Sequence, residues 1–253
     1  MTKWESGASV YANPSDYEAL FNPGLQDLGF YQAVGLQAGG RCLDLGCGTG
    51  RLLWPLRQAG IDVEGLDQSP VMLQACALKG QALGLQAPLH QGDWGSLDLG
   101  RRYQAVLMPF NGLQHLTRPQ DLLDFFRGLR SHLVPGGLWA LDVHLPQAGI
   151  LARDPGERFG VEEGPLSGAG ERVVAEQSAY DALAQVLTQT WTLAAPDGNT
   201  REISLELRQF FPQELRSLLQ AQGFEILSAA GGFQGEALAA HSLKQVFCCR
   251  FGG

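Results

Sequence analysis

Residues 42–50 decide the fold, and they read Cys42-Leu43-Asp44-Leu45-Gly46-Cys47-Gly48-Thr49-Gly50. A mostly apolar strand leads here into a turn with glycine at every second position, and an amphipathic stretch follows. Glycine lets the backbone approach a ligand closely, and the start of a helix presents unpaired N–H groups. We therefore predict a ligand site where the first strand ends.

The spacing of these glycines discriminates between two kinds of ligand. A dinucleotide site requires the pattern G-x-G-x-x-G, which would place the third glycine at position 51. That position holds Arg51, and the carboxylate of Asp44 just before the turn would repel a diphosphate. An acidic strand end instead attracts an ammonium group. The pattern thus favours a ligand that carries an amino acid, and a nicotinamide-dependent oxidoreductase stays as the less favoured alternative.

The rest of the chain up to residue 144 alternates short apolar runs with amphipathic ones, which is typical of βαβ units around a parallel sheet. Predicted strands are Arg41–Gly46, Ile61–Leu66, Ala87–Gln91, Gln104–Met108 and Leu138–His144, and predicted helices are Arg51–Ala59, Pro70–Leu83 and Pro119–Leu133. Ser69 followed by Pro70 is a good helix start. Pro135-Gly136-Gly137 is expected to end the third helix before the fifth strand begins.

The pattern changes after residue 146. Residues 146–170 are rich in glycine and proline and predict a loop. Three strands without a helix between them are predicted at Arg172–Tyr180, Gln185–Leu193 and Arg201–Phe211. A helix is predicted at Pro212–Gln222, followed by two more strands at Phe224–Ala230 and Leu243–Phe251. Pro196-Asp197-Gly198-Asn199 predicts a hairpin turn between the second and third of these strands. In the second of them, Leu187, Trp191 and Leu193 share one face.

The glycine-rich stretch resembles motif I of the class I S-adenosylmethionine-dependent methyltransferases, in the form D-x-G-C-G-T-G. The resemblance implies S-adenosyl-L-methionine as cofactor and S-adenosyl-L-homocysteine as product. It also implies an α/β fold, a Rossmann-like seven-stranded mostly parallel sheet whose last strand is antiparallel, with an antiparallel β lid insertion. The corresponding regions are N-terminal lid helices in 1–40, the cofactor-binding core in 41–145, the lid over the substrate in 146–211 and the completion of the sheet in 212–253.

The resemblance continues at the ends of the later strands. Asp67 lies 21 residues after Gly46, near the place of a ribose-binding acid. Residues 91–94 resemble an adenine-binding segment, and residues 108–115 resemble the segment that flanks the methionine moiety and the acceptor. The implied cofactor-binding residues are Tyr17, Asp44, Gly46, Cys47, Gly48, Gly50, Asp67, Gln68, Met72, Gly92, Asp93, Trp94, Met108 and Phe110. For Cys47 we expect the backbone N–H to face the ligand, and core packing is the alternative for Met72 and Trp94.

The sequence indicates less clearly which residues contact the methyl acceptor. His115 and His144 follow the fourth and fifth strands and are candidate catalytic bases for a hydroxyl or ammonium acceptor, although a hydrogen-bonded pocket wall is the favoured role for either alone. Tyr11, Asn111 and Arg208 are candidate substrate residues, and Arg208 suits a solvated charge better. We expect methyl transfer to an N or O atom of a small-molecule acceptor by in-line displacement. A non-catalytic adenosyl-ligand-binding protein on the same fold is a further alternative.

Composition narrows the classes of partner. The 253 residues carry a formal net charge of −8, which disfavours nucleic acid. No apolar run is long enough to cross a bilayer, and the first residues lack the apolar core of a signal peptide. The five cysteines follow no regular framework, and no Cys/His/carboxylate cluster has metal-ligand spacing. We expect a cytoplasmic monomer or homodimer with reduced thiols, no metal, and no nucleic-acid or membrane partner.

Overall fold

The computed structural model describes residues 9–21, 24–162 and 170–253. They divide into two compact units. The larger unit comprises Leu25–Pro146 and Gln209–Gly253, and the smaller comprises Gln147–Arg208 with the residues up to Gly24. Each unit has its own β-sheet.

The elements are numbered in chain order. The helices are α1 (Pro14–Phe21), α2 (Leu28–Ala38), α3 (Leu53–Gln58), α4 (Pro70–Leu83), α5 (Pro119–His132), α6 (Ala148–Leu151) and α7 (Pro212–Ala221). The strands are β1 (Cys42–Leu45), β2 (Val63–Asp67), β3 (Leu89–Gln91), β4 (Tyr103–Met108), β5 (Leu133–His144), β6 (Arg158–Gly160), β7 (Arg172–Asp181), β8 (Val186–Ala194), β9 (Thr200–Arg208), β10 (Phe224–Ala230) and β11 (Lys244–Phe251). Single 3₁₀ turns lie at Trp94–Ser96 and Gly112–His115. None of these helices is long and apolar enough to cross a membrane.

The larger unit is built on a seven-stranded sheet with the order β10-β11-β5-β4-β1-β2-β3. Strands β1 to β5 pair in parallel, and β11 runs antiparallel to both β5 and β10. This confirms the predicted Rossmann-like sheet with its antiparallel last strand. The strand order reverses between β1 and β4, and ligands of such sheets bind beyond the carboxyl ends of the strands at that point.

Helices cover both faces of this sheet. Leu43 and Leu45 of β1 pack in the apolar cluster that includes α5 and α7, whereas Cys42 packs in the cluster that includes α2, α3 and α4. Side chains alternate between faces along a strand, so Asp44 lies on the same face as Cys42. All four residues of β1 are buried, as expected for a central parallel strand.

Local signals account for the best-defined helix. The side-chain oxygen of Ser69 accepts from the backbone N–H of Met72, Pro70 is the first helical residue, and Gly84 closes α4 in the left-handed conformation. Serine at the N-cap, proline at the first position and glycine after the last turn are each favoured there. The predicted bounds of this helix are confirmed.

The predicted start of the fifth strand is wrong, because β5 already begins at Leu133. Leu133 pairs with Tyr103 and Leu138 pairs with Ala105, so the register shifts between these two pairs. The extra residues of the Pro135-Gly136-Gly137 segment are accommodated in this irregularity, with Gly136 in the left-handed region at φ 78°. The helix α5 thus ends at His132, before this segment, and Pro135-Gly136-Gly137 lie within β5.

The smaller unit is a four-stranded antiparallel sheet with the order β6-β7-β8-β9. The predicted hairpin is confirmed, since β8 and β9 pair along nine residues each around a turn with Gly198 at φ 87°. Leu187 and Leu193, which are predicted to share one face, are both buried, and the ring of Trp191 lies 4.9 Å from that of Phe21.

Two predictions in this region are wrong. Residues 146–170 are not simply a loop, because they contain α6 and β6, and β6 pairs with β7. The strand predicted to reach Phe211 ends at Arg208, whose partner Val186 is the first residue of β8. In both cases the extent of a strand is set by the partner available to it, which local sequence does not report.

Candidate active site

In the glycine-rich turn after β1, described side chains pack against Gly46 and Gly50 but not against Gly48. Gly46, Gly48 and Gly50 all have left-handed φ angles, of 82°, 53° and 82°. A Cβ at Gly46 would lie 2.8 Å from Cζ2 of Trp94, and one at Gly50 would overlap Nε1 of Trp54. No heavy atom of the described residues lies within 4 Å of the corresponding position at Gly48. The turn thus exposes backbone at Gly48, where a ligand can approach.

The N–H groups of this turn are largely used by the protein itself. The backbone nitrogens of Gly46 and Cys47 both donate to the carbonyl of Leu66, at 2.8 and 2.9 Å. Gly48 donates to Oδ2 of Asp67 at 2.9 Å. The expectation that the N–H of Cys47 faces the ligand is therefore wrong. The hydrogen bonding between the chain and β2 continues beyond the end of β1, and it takes up this N–H. A hydrogen bond with Cys76, together with burial, holds the pKa of the Cys47 thiol well above its usual range.

Asp44 is the unusual residue of the site. Its side chain is fully buried, and neither carboxylate oxygen has a hydrogen-bond partner within the described part of the chain. Its pKa is raised to about 7, mainly by burial, with Arg51 lowering it and the carboxylates of Asp27 and Asp67 adding to the rise. Buried carboxylates are normally paired. Asp44 therefore fits a ligand that brings a cationic donor.

Asp67 ends β2 beside the glycine-rich turn. Its Oδ1 accepts from the backbone N–H of Ser69 and its Oδ2 from that of Gly48, each at 2.9 Å. Burial raises the pKa of Asp67, although these backbone donors lower it. The side chain is only half-buried, and a carboxylate can accept about four hydrogen bonds. Lone pairs thus remain for hydroxyl donors.

The residues around Asp67 form the next part of the site. Gln68 is half-buried and its carbonyl lies 3.5 Å from the side-chain nitrogen of Gln91, whereas Met72 is buried in the first turn of α4. Gly92 donates its N–H to the carbonyl of Asp67 at 3.1 Å. This bond keeps the ends of β2 and β3 together.

The third strand ends in the segment predicted to contact adenine. Asp93 is exposed, and its Oδ1 caps the following turn by accepting from Gly95 at 2.7 Å. Trp94 is buried in the core with its ring against Gly46, and its Nε1 has no partner among the described residues. Trp94 therefore both packs the core and shapes the glycine-rich turn.

Beyond β4, which ends at the buried Met108, the chain enters an unusual turn. Phe110 and Asn111 are consecutive non-glycine residues with left-handed φ angles of 55° and 64°. The N–H of Phe110 donates to Oδ1 of Asp142 at 2.8 Å, and Oδ1 of Asn111 accepts from Nζ of Lys244 at 3.0 Å. The substrate role of Asn111 stays a prediction. Sequence reasoning missed Asp142 and Lys244, although an acid inside the apolar run of β5 was a usable signal.

The two candidate catalytic histidines lie at the ends of this turn and of β5. His115 is half-buried, and its ring lies 6.2 Å from that of Trp94. The backbone N–H of His144 donates to Oε1 of Gln114 at 2.8 Å. The pKa of the His144 imidazole is lowered to about 4, first by desolvation and then by Lys244. Because the side chain of His144 is solvent-exposed, the charge of Lys244, rather than desolvation, accounts for the lowered pKa.

Tyr11, Tyr17 and Arg208 belong to the smaller unit. The rings of Tyr11 and Tyr17 lie 5.5 Å apart, and Tyr17 is buried. Arg208 is half-buried, with Nη2 at 3.5 Å from Oε1 of Gln185. Their cofactor and substrate roles remain predictions.

The hydrogen-bonding groups at the glycine-rich turn of the larger unit fit S-adenosylmethionine. Asp44 offers unused acceptors for an ammonium group, Asp67 has capacity for hydroxyl groups, and Gly48 leaves its backbone accessible. Within the described ranges, no group of three or more histidine, cysteine or acidic side chains is placed to hold a metal ion. All five cysteines are free and buried.

Known proteins resemble both the sequence and the fold. Residues 42–137 match a methyltransferase domain family. The dTDP-3-amino-3,6-dideoxy-alpha-D-glucopyranose N,N-dimethyltransferase of Streptomyces fradiae is 34% identical over 38% of this chain, which spans only 36% of that protein. The cypemycin N-terminal methyltransferase of a Streptomyces species is 28% identical, over 81% of this chain and 80% of that protein.

Solved structures agree with this relationship. The CcbJ methyltransferase from Streptomyces caelestis superposes with a TM-score of 0.75 at 28% identity, covering 88% of this chain and 94% of that one. A S-adenosylmethionine-dependent methyltransferase from Clostridium acetobutylicum, 16% identical, shares the fold with a TM-score of 0.77 over 94% of this chain and 96% of that one. With the motif at 42–50 and the seven-stranded sheet, these likenesses support a class I S-adenosylmethionine-dependent methyltransferase, and residues 42–137 are the part of the chain that matches the methyltransferase domain family.

Proposed function

We propose that the protein transfers a methyl group from S-adenosylmethionine to a nitrogen or oxygen atom of a small-molecule acceptor. The observation that carries this proposal is Asp44, a fully buried carboxylate without a partner among the described residues, at the carboxyl end of the central strand β1. A cationic amino-acid tail would give this carboxylate its missing donors. A diphosphate would be repelled by it.

A nitrogen acceptor is the better supported of the two. One relative is named as an N,N-dimethyltransferase of a dTDP-linked amino sugar, and another is named as the cypemycin N-terminal methyltransferase. An amine acceptor differs from a hydroxyl in arriving as an ammonium ion near neutral pH. It must lose a proton before its lone pair can attack, so a nearby base is useful.

The residues of the larger unit divide the work as follows. When bound, the cofactor supplies an electrophilic methyl group. Asp44 orients the ammonium group, Asp67 accepts the hydroxyl groups of the ribose, and the glycine-rich turn lets both approach the backbone. Holding the two reacting atoms in line and excluding water lowers the barrier by several kcal/mol.

The two histidines differ as proton acceptors. The charge of Lys244 lowers the pKa of His144, which keeps its imidazole uncharged at neutral pH but makes it a weaker base. We therefore assign His144 a hydrogen-bonding role toward the acceptor and leave His115 as the candidate that takes the proton. Each assignment is part of the proposal.

Calorimetric titration with S-adenosylhomocysteine and with NADH tests the ligand class. We expect binding of S-adenosylhomocysteine and none of NADH. The reverse result would favour the oxidoreductase alternative and end the proposal.

The substitution Asp67→Ala tests the ribose assignment. Loss of charge-assisted hydrogen bonds should weaken the binding of S-adenosylhomocysteine by about 1–3 kcal/mol. Asp98→Ala is the matched control, because Asp98 also accepts a backbone N–H two residues on but is exposed. Equal affinities for the two variants would show that Asp67 does not hold the ribose.

Turnover is tested with a panel of amino sugars, other primary and secondary amines, phenols and carboxylic acids. We expect S-adenosylhomocysteine to form with amines, and mass spectrometry to show the methylated product. Binding without turnover across the whole panel would support the non-catalytic alternative and contradict the proposal.

A further inference from the structure

The turn after β4 has a backbone conformation that ordinary residues avoid. Phe110 and Asn111 both have left-handed φ angles, and neither is glycine. A left-handed conformation costs a side-chain-bearing residue free energy, and such residues persist only where their surroundings hold them. The next residues, Gly112–His115, form the 3₁₀ turn that ends on a candidate catalytic histidine. The conformation of residues 110–111 therefore sets where His115 lies.

Residues from three distant parts of the chain hold this turn. Asp142 of β5 is fully buried, and its Oδ1 accepts from the N–H of Phe110 at 2.8 Å and from the hydroxyl of Tyr31 at 2.7 Å. Its Oδ2 accepts from Nζ of Lys244 at 2.6 Å. The same Nζ donates to the side chain of Asn111 at 3.0 Å. Lys244 thus joins a buried carboxylate to the side chain of a strained residue.

The charges in this cluster balance. One carboxylate, Asp142, faces one ammonium group, Lys244, and the hydroxyl of Tyr31 stays protonated because burial and Asp142 raise its pKa well above the usual value. The Nζ of Lys244 also lies 5.8 Å from the ring centroid of Phe110. Both strained residues therefore contact Lys244, one through its amide oxygen and the other through its ring.

We infer that Lys244 and Asp142 are positioning residues: they hold the Phe110–Asn111 turn in its left-handed conformation and thereby place the end of β4 for cofactor binding. This inference rests on the proposed function for its consequence, but the conformational part stands on the contacts alone. Neither residue touches reacting atoms in this role.

The test uses a pair of substitutions that differ only in backbone strain. Asn111→Ala and Asn111→Gly both remove the acceptor of Lys244, but only glycine adopts the left-handed region without steric cost. Lys244→Met removes the ammonium group and keeps the length of the side chain. Arg250→Met is the matched control, because Arg250 lies on the same strand and pairs with Glu225 on the surface.

Two readouts are measured on the full chain: amide hydrogen exchange of a peptide spanning residues 109–116, and calorimetric affinity for S-adenosylhomocysteine. We expect Asn111→Ala and Lys244→Met to speed the exchange and weaken the affinity about 5- to 30-fold each. Asn111→Gly should lie closer to the unmodified protein than Asn111→Ala does. Adding Asn111→Gly to Lys244→Met should recover part of the loss, and Arg250→Met should change neither readout.

Unchanged exchange in Lys244→Met, or equal exchange in Asn111→Ala and Asn111→Gly, would overturn the inference. Faster exchange with unchanged affinity would overturn its consequence for cofactor binding. If Lys244→Met does not fold, the two Asn111 substitutions decide alone. If the unmodified protein fails to bind S-adenosylhomocysteine, the proposed function falls, while the exchange data still decide whether these residues hold the turn.

Discussion

At the scale of single residues, two buried aspartates on the same face of the sheet have opposite surroundings. Asp142 accepts from three donors of the protein, whereas Asp44 has none among the described residues. A satisfied buried carboxylate stabilises structure, and an unsatisfied one costs free energy until something pairs with it. The difference marks Asp44 as the residue that serves a ligand.

The raised pKa of Asp44 predicts pH-dependent cofactor binding. Below about pH 7 the ligand-free protein holds a proton on Asp44, and an entering ammonium group must displace it. Affinity for S-adenosylhomocysteine should therefore fall by up to about tenfold for each pH unit below 7 and level off above it. Calorimetry at pH 6 and pH 8, in buffers with different ionisation heats, measures both the affinity and the released proton.

The substitution Asp44→Asn is the control for this prediction, since it should bind more weakly but lose the pH dependence. In the ligand-free protein, the stability of the fold should depend on pH in the opposite direction. A carboxyl group whose folded-state pKa is raised stabilises the fold at low pH, and this contribution is lost as pH rises from about 4 toward 7. Equal affinities at pH 6 and pH 8 in the unmodified protein would mean that Asp44 does not pair with the ligand.

Gly46 provides the second prediction at this scale. Gly46→Ala adds left-handed strain and places a Cβ 2.8 Å from the ring of Trp94, so we expect a loss of about 2–5 kcal/mol in unfolding free energy. Gly84→Ala adds the same strain at φ 67°, and no atom in the described ranges lies within 4 Å of the added Cβ. It should cost only about 1–2 kcal/mol. Urea unfolding compares them, and equal losses would show that Trp94 yields to the added methyl group.

At the scale of elements, one ion pair joins the start of α2 to the turn before α3. Nη1 and Nη2 of Arg51 donate to the two carboxylate oxygens of Asp27, each at 2.6 Å, and both side chains are buried. Position 51 is where a dinucleotide-binding turn would need glycine. In the structure, the planar guanidinium group of Arg51 links the start of α2 to the residues between the glycine-rich turn and α3.

Arg51→Met should destabilise the fold strongly, because it leaves Asp27 buried without its charge partner. We expect a loss of about 3–5 kcal/mol in unfolding free energy by urea titration. Arg118→Met removes the cation of an exposed pair with Asp121 and should cost no more than about 1 kcal/mol. Similar small losses in both variants would mean that water reaches Asp27 once the arginine is gone.

At the scale of the whole molecule, a cluster of aromatic side chains packs against β5 in the core of the larger unit. Trp139 is fully buried, with ring centroids of Phe125, Phe126 and Phe224 at 5.8, 5.7 and 5.1 Å. These rings come from α5, β5 and β10, so the cluster holds one helix layer against the sheet. Aromatic pairs at such distances add to the gain from burial alone.

Trp139→Ala should therefore lower the unfolding free energy by about 3–5 kcal/mol, through lost burial and the cavity left behind. Leu36→Ala is the control on the same unit, since Leu36 is 59% exposed and should change stability by no more than about 0.5 kcal/mol. Denaturant titration measures both. A small loss for Trp139→Ala would show that the neighbouring rings collapse into the vacated space.

Local sequence was sufficient for much of this architecture. The spacing of Gly46, Gly48 and Gly50, the helix start at Ser69-Pro70 and the turn around Gly198 each depend on backbone preferences of neighbouring residues. Periodicity likewise located ten of the eleven strands found in the described residues, because burial on one or both faces of a sheet imposes a pattern on consecutive side chains. These features act over a few residues, so they can be read without knowing the partner.

The remaining features depend on residues that are far apart in the chain. The N–H of Cys47 is taken by the carbonyl of Leu66, β6 exists because β7 offers it an edge, and Asn111 is held by a lysine 133 positions away. No local preference encodes such contacts, since each partner's position follows from how the strands are ordered and packed. Tertiary structure alone decided which donors of the cofactor turn are already used, and it alone revealed that the turn after β4 is held in a strained conformation.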